Sequence, residues 1–198
     1  MKLNIVTVLW RKNYILEQYK TIPKKPDINW ILCKTNLWGK IPNQILFNTE
    51  LNTIVLETKI KTKNKTEHIT DFVLKINHGL KNVEHGFFYI LDDDNSFNNE
   101  IYNVFNEYKN SNYKMIIGRQ IRNKNGKFLA AQYPKHGCID MGNVICSTDI
   151  FNKVDYFNNI NKKNRLYDWQ FWLECFNSIS KDDVLLLHKN IFNYNGLR

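Results

Sequence analysis

Gly86-Phe87-Phe88-Tyr89-Ile90-Leu91 is an uninterrupted apolar and aromatic run that stops abruptly at Asp92-Asp93-Asp94-Asn95. A run of this kind predicts a central β-strand covered on both faces. In open α/β sheets ligands sit beyond the carboxyl ends of the strands, so the three aspartates stand where a site is expected.

The flanking segments supply the rest of such a sheet. Leu3 to Trp10 is β-branched and apolar enough for a buried strand, and a polar, helix-compatible run from Asn13 to Lys20 follows it. Trp30 to Cys33 predicts a second strand after the Pro23 and Pro26 loop, and Thr53 to Thr58 a third. Between Glu67 and Leu80 the residues Ile69, Phe72, Val73, Ile76 and Leu80 recur at spacings of three and four, which gives a helix with one apolar face. Asn99 to Tyr108 reads as helix and Met115 to Gly118 as strand, while Arg122 to Phe128 carries the Asn-Gly turn chemistry of a hairpin. Met141 to Ile145 is a late apolar segment, Asp168 to Phe176 looks helical, and Val184 to Leu187 closes with one more strand ending at His188. This alternation predicts an α/β fold, a mixed sheet flanked by helices with a β-hairpin late in the chain. At 198 residues one domain is expected.

Hydrophobic residues make up 43% of the chain and aromatics 14%, which excludes wholesale disorder. No stretch approaches the roughly 20 apolar residues of a bilayer span, and the start of the chain reads as strand rather than as a signal peptide. The expectation is a soluble, cytoplasmic protein without a transmembrane segment. A net charge of +9 admits nucleic acid, an anionic membrane surface or a polyphosphate substrate as partner. The lysines are scattered among asparagines rather than concentrated with aromatics, so no nucleic-acid partner is expected, and peripheral membrane contact stays open. Cys33, Cys138, Cys146 and Cys175 form no CxxC pair, and His68, His78 and His85 have no ligand spacing with them. Neither a zinc site nor a disulfide framework is suggested.

Three adjacent carboxylates repel one another unless a divalent cation offsets their charge. Hard oxygen ligands suit Mn²⁺ or Mg²⁺, and such an ion bridges the diphosphate of a nucleotide. The plainer alternative is a solvated acidic turn in which Asp94 or Asn95 caps the following helix.

The segment Gly86 to Phe97 resembles the DXD region of the β-1,3-glucuronyltransferase family, in which an apolar strand runs into Asp-Asp-Asp-Asn, then Thr or Ser and an aromatic. Looser likenesses fall in the family's order: the first strand with Thr7, the second with Asn29-Trp30-Ile31-Leu32, Ile76-Asn77-His78-Gly79-Leu80, and Asp140-Met141-Gly142. The resemblance implies a GT-A nucleotide-diphospho-sugar transferase, with residues 1–97 binding the donor and 98–198 the acceptor. It implies Asp94 as direct metal ligand with Asp92 beside it, Asp92 and Asp93 contacting ribose or ordering the site, Thr7 near the nucleobase and Asn77 facing the donor. The family's acidic residue at the end of the second strand is replaced by Cys33-Lys34-Thr35, and its helix arginine by Ile76. Arg11 and Arg119 are the candidates to contact phosphate in its place.

Asp168, in Arg165-Leu166-Tyr167-Asp168-Trp169-Gln170-Phe171, stands where that family has its catalytic Glu, and Tyr167 to Leu173 also looks like the Glu-Asp-Trp-x-x-Trp-Leu helix start of other inverting GT-A transferases. The likeness implies Asp168 as general base for an inverting transfer; a helix-capping aspartate is the structural alternative. His188, after Val184 to Leu187, resembles the family's Val-Leu-Val-Trp-His ending and there donates to the donor phosphates. Asp140, Gly142 and Trp169 are candidate acceptor contacts, with His136 and Gly137 weaker ones. The expected ligands are therefore a nucleotide sugar, UDP-linked by the resemblance, and a glycan or other hydroxyl acceptor. The rival from another class is a metal-dependent nuclease or nucleotidyltransferase, against which no strand carries a second spaced carboxylate pair.

Overall fold

In the computed structural model of the chain, residues 1–59, 65–122, 127–135, 138–151, 167–194 and 197 are described. The elements run β1 (Lys2–Val8), α1 (Ile15–Thr21), β2 (Ile28–Thr35), α2 (Asn43–Leu46), β3 (Asn52–Thr58), α3 (Lys65–Leu80), β4 (Gly86–Ile90) and α4 (Asn99–Tyr108). There follow β5 (Met115–Arg122), β6 (Lys127–Leu129), a 3-10 turn (Met141–Asn143), β7 (Val144–Ser147), α5 (Thr148–Phe151), α6 (Tyr167–Asn177), a second 3-10 turn (Lys181–Asp183) and β8 (Val184–Tyr194).

The strands form one mixed sheet in the order β3-β2-β1-β4-β7-β5-β6, with β8 pairing β5. β1, β2, β3 and β4 are mutually parallel, β7 is antiparallel to both β4 and β5, and β8 runs parallel to β5. Each buried strand feeds two cores, because alternate side chains leave opposite faces. Leu3, Ile5, Phe87 and Tyr89 pack with Ile15, Ile101 and Phe105 of α1 and α4. Val6, Val8, Phe88 and Ile90 pack with Ile76, Leu80, Phe171 and Trp172 of α3 and α6. The Phe88 ring stacks on Trp172 at 5.9 Å between centroids. The apolar run that reads as a strand covered on both faces is therefore one, between two helical layers.

Register in the parallel half is held by polar side chains as well as by the ladder. Asn4, Asn29 and Asn52 are partners across β1, β2 and β3. Asn52 Nδ2 donates to Asn29 Oδ1 at 2.9 Å and Asn29 Nδ2 to Asn4 Oδ1 at 3.0 Å, while Asn4 Nδ2 donates to the Phe87 carbonyl of β4. A one-residue slip would leave the buried Asn4 and Asn29 amides unpaired, at about 1–3 kcal/mol each.

Three late segments differ from expectation. β5 continues to Arg122 and pairs with β6 through Arg122↔Lys127, so the hairpin is present, its turn at 123–126 outside the described residues. Met141 to Ile145 is divided between the 3-10 turn and β7. β8 does not end at Leu187: it runs seven residues further to Tyr194, so His188 lies inside a strand and not at its end. The sequence hides this because His188 and Lys189 are exposed and β8 changes register against β5 between Ile117 and Gln120, which breaks the alternation. Among the described residues no helix is long and apolar enough to cross a membrane. Cys33, Cys146 and Cys175 are buried and Cys138 is half-buried, all as free thiols.

Candidate active site

The chain lays β2 and β3 down on one side of β1, then returns through α3 to place β4 on the other. The crevice between the carboxyl ends of β1 and β4 is thus a topological switch point, where open α/β sheets bind ligands. Leu9-Trp10-Arg11 leaves β1 there, and Asp92-Asp93-Asp94 leaves β4.

The two loops are bonded to each other through Asp93. Its carboxylate, at 1% exposure, takes the Trp10 and Arg11 amide N–H groups on Oδ2 at 2.6 and 2.5 Å and Arg11 Nη1 on Oδ1 at 2.6 Å. Burial pushes this carboxyl above its ordinary range; the Arg11 and Trp10 amides and the Arg11 guanidinium draw it back, and the Asp94 charge adds to the rise. The same guanidinium lies 3.3 Å from Asp94 Oδ2. On the β1 side, the buried Lys75 of α3 donates to the Leu9 carbonyl at 3.3 Å and sits 3.9 Å over the Trp10 ring, which stacks on Phe72. On the β4 side, Gln18 of α1 donates Nε2 to the carbonyls of Asp92 and Asn95 at 2.7 and 2.9 Å. The Leu197 amide donates to the Asp94 carbonyl at 3.2 Å, bringing the chain beyond β8 back to the acidic turn.

Asp140 stands close by. It caps the 3-10 turn, with Oδ1 accepting from the Met141 amide at 2.8 Å and Oδ2 from Gln120 Nε2 at 3.3 Å. The phenol of the fully buried Tyr89 is raised well above its usual value by burial and by the charges of Asp92 and of Asp140.

No protein-family model matches the chain, and no curated protein matches it in sequence. Solved structures do match in shape. Residues 1–349 of TarS from S. aureus superpose at a TM-score of 0.68 with 12% identity, covering 98% of this chain and 60% of that one. The mannosyltransferase PcManGT from Pyrobaculum calidifontis, solved with GDP-Man and Mn²⁺, matches at 0.61 and 8% identity over 96% of this chain and 55% of its own. The 4-diphosphocytidyl-2C-methyl-D-erythritol synthase of Anaerococcus prevotii matches at 0.59 and 13% identity over 98% and 90%. The fold is of the GT-A type. At these identities the likeness establishes the fold and no narrower kinship, and the chain spans 60% of that TarS fragment, 36% of the longer TarS chain and 55% of PcManGT.

Within this GT-A sheet the structure joins some of the residues singled out in the sequence and separates others. Arg11, Asp92, Asp93 and Asp94 meet at the switch point, while Asp140 is held at the 3-10 turn by Gln120 and Met141. Thr7 is fully buried in β1, its Oγ1 accepting from Trp30 Nε1 at 3.0 Å. Asn77 is half-buried on α3, and its Oδ1 has no hydrogen-bond partner among the described residues. Gly142 is buried against Phe192. Trp169 is half-buried among the core residues of α6. Asp168 is the second residue of α6, and its side chain lies outside the described part, as do His136 and Gly137. His188 lies on β8, paired with Arg119. The capping alternative for the acidic turn is not realised: Asn98 caps α4 by accepting from the Glu100 amide at 3.0 Å. Gln18, Lys75, Gln120 and Tyr89 carry no motif that marks them in the sequence. Only their burial and partners reveal them.

The donor set divides by chemistry. Asp93 is saturated by N–H groups and orders the crevice; Asp92 and Asp94 supply carboxylate oxygens of the kind Mn²⁺ or Mg²⁺ takes. Among the described residues no three His, Cys, Asp or Glu side chains gather into a cage.

Proposed function

We propose that the protein is a metal-dependent glycosyltransferase that moves a sugar from a nucleoside diphosphate sugar, with UDP favoured, to a hydroxyl of a glycan or similar acceptor. The observation that carries this reading is the acidic turn at the switch point of a GT-A sheet, tied by Asp93 to the β1 loop. Asp94 and Asp92 hold Mn²⁺ or Mg²⁺, which offsets the charge developing on the diphosphate as it leaves. Arg11, bonded to Asp93 and Asp94, adds a fixed positive charge at the same edge. Asp168, at the start of α6, accepts the proton of the acceptor hydroxyl while its oxygen attacks the sugar carbon opposite the breaking bond to diphosphate, so the product is inverted. Asp140, Gly142 and Trp169 frame the acceptor side, and residues 1–97 and 98–198 divide donor from acceptor work.

The test is thermal stabilisation by a panel of nucleotide sugars with and without Mn²⁺, since a ligand that binds the folded state raises apparent stability. Stabilisation that needs Mn²⁺ and disappears in Asp94→Ala is expected, and metal-independent binding in both proteins would remove the metal role. Asp168→Asn should keep donor binding and lose transfer; unchanged turnover would reject it as base. Nucleotidyl transfer is the second reading, favoured by one fold neighbour named for a diphosphocytidyl product. Release of pyrophosphate from a nucleoside triphosphate, without sugar transfer, would establish it instead.

A further inference from the structure

Helix α1 lies along the acidic turn and is bonded to it through two side chains. Gln18 is wholly buried, and its Nε2 donates to the Asp92 carbonyl at 2.7 Å and to the Asn95 carbonyl at 2.9 Å, which uses both N–H groups of the amide. One helical turn on, Thr21 donates its hydroxyl to the Gln18 carbonyl at 2.7 Å, and the same oxygen accepts the Phe97 N–H at 2.9 Å. Within the turn the Asn95 N–H closes onto the Asp92 carbonyl at 3.1 Å, and Asn95 Nδ2 lies 3.4 Å from Asp92 Oδ2. Asp92, Asn95 and Phe97 are thus pinned to a single helix. That helix is itself fixed, with Ile15 and Ile22 in the core and Tyr19 stacked on Trp30 at 6.1 Å between centroids.

Gln18 also carries a cost. Its Oε1 is buried with no hydrogen-bond partner among the described residues, and a buried acceptor without a donor destabilises a fold. An apolar side chain of the same length would avoid that cost. What the glutamine adds is its pair of N–H groups and the shape they hold in the turn.

We propose that Gln18 and Thr21 are positioning residues for the acidic turn, and that by holding Asp92 and Asp94 in one arrangement they make the site select Mg²⁺ or Mn²⁺ over Ca²⁺. Mg²⁺ takes oxygen ligands at about 2.0–2.1 Å in near-ideal octahedra, whereas Ca²⁺ takes them at about 2.3–2.6 Å in looser geometry. A turn that cannot widen therefore penalises the larger ion. The cation role rests on the function proposed above; the holding of the turn does not. Both residues act through the backbone of the turn and are not ligands.

Two measurements on the full chain keep these parts separate. Hydrogen-deuterium exchange should show the amides of 92–97 exchanging on the order of tenfold faster in Gln18→Met and in Thr21→Val, with β4 unchanged, because Met and Val keep the volume and lack the hydrogen-bonding groups. Thr21→Ser, which keeps the hydroxyl, should exchange as the wild type does. Titrations with Mg²⁺, Mn²⁺ and Ca²⁺ at fixed UDP should show Mg²⁺ and Mn²⁺ affinity falling on the order of tenfold in Gln18→Met and Thr21→Val, while Ca²⁺ affinity changes less than about threefold. Thr21→Ser should again follow the wild type. Equal losses for all three ions mark general damage to the site and overturn the proposal, as does exchange of 92–97 that stays at the wild-type rate. If Gln18→Met does not fold, Thr21→Val and Thr21→Ser decide both measurements. If the wild-type chain binds none of the cations yet exchange rises as stated, the metal reading has failed and takes the selectivity with it, while the hold of α1 on the turn stands.

Discussion

Arg11 Nη1 and Asp93 Oδ1 stand 2.6 Å apart, and the same carboxylate also takes two backbone N–H groups from the loop that Arg11 belongs to. The side chains contribute unequally. Arg11 is 41% exposed, so solvent screens its half of the pair, whereas Asp93 is almost wholly inside. Arg11→Ala should therefore cost about 1–2 kcal/mol of unfolding free energy, with Asp93 still held by the Trp10 and Arg11 amides. Asp93→Ala should cost more, about 3 kcal/mol, because those amides and the guanidinium all lose their acceptor. Urea denaturation of the two variants checks the order; an Arg11→Ala loss larger than the Asp93→Ala loss would show that the guanidinium, not the amide pair, joins the loops.

Much of this arrangement can be read from the residues alone, and the part that cannot has a definite cause. Gly86 to Leu91, Leu3 to Val8 and Trp30 to Cys33 are legible because a strand buried on both faces is apolar at most positions, interrupted in β1 by Asn4 and Thr7, whose polar groups are hydrogen-bonded. The α3 stripe of Phe72, Ile76 and Leu80 is legible because one face meets the sheet. The meeting of Trp10 with Asp93 is not, since it depends on β4 lying beside β1, a long-range choice that local pattern does not encode. Nor is the length of β8 legible, because the bulge at His188 removes the alternation by which strands are recognised. Site residues divide the same way: the acidic turn announces itself by three like charges in a row, while Gln18 and Lys75 are ordinary helix residues until their partners are known.

The asparagine chain across β1, β2 and β3 makes a separate prediction. Asn29 is fully buried, donating to Asn4 and accepting from Asn52, so Asn29→Ala removes both bonds, leaving Asn4 Oδ1 with the Glu84 amide alone and the exposed Asn52 amide to solvent. A loss of about 1–2 kcal/mol is expected from the two hydrogen bonds removed with the carboxamide. Chemical denaturation gives the value directly. A loss under about 0.5 kcal/mol would mean that the ladder hydrogen bonds set the register unaided.

Alkaline stability should carry the mark of Cys33. Burial pushes its thiol up to about 12 from an ordinary 9.0, with the charge of Lys75 pulling the other way. Below pH 9.0 the thiol is protonated in both folded and unfolded chains, and its contribution to stability is complete. Between that point and about 12 only the unfolded chain releases the proton, so stability falls as pH rises. Replacing Cys33 by Ala should reduce the slope of unfolding free energy against pH by about 1 kcal/mol per unit across pH 9.5 to 11. Denaturation series at pH 8, 9.5, 10 and 10.5 in both proteins measure that slope, and identical slopes would refute the assignment.

Gly142 joins the Asp140 turn to β8 by having no side chain. A Cβ there would stand 2.5 Å from Phe192 Cζ, and Phe192 is itself wholly buried, so neither partner has room to give. Gly142→Ala must displace the 3-10 turn or rotate the Phe192 ring into an unfavourable position, an overpacking cost of about 1–3 kcal/mol. The displacement would move Asp140, whose carboxylate caps that turn and takes the Gln120 amide. Removing the obstruction separates the two effects. Phe192→Leu should lose stability alone, yet in the Gly142→Ala background the combined loss should be smaller than the sum of the single losses, since the shorter side chain vacates the space the methyl needs. Strict additivity in denaturation experiments would mean that the turn yields without pressing on Phe192. Acceptor binding that recovers together with stability would show that Asp140 depends on this contact for its place in the site.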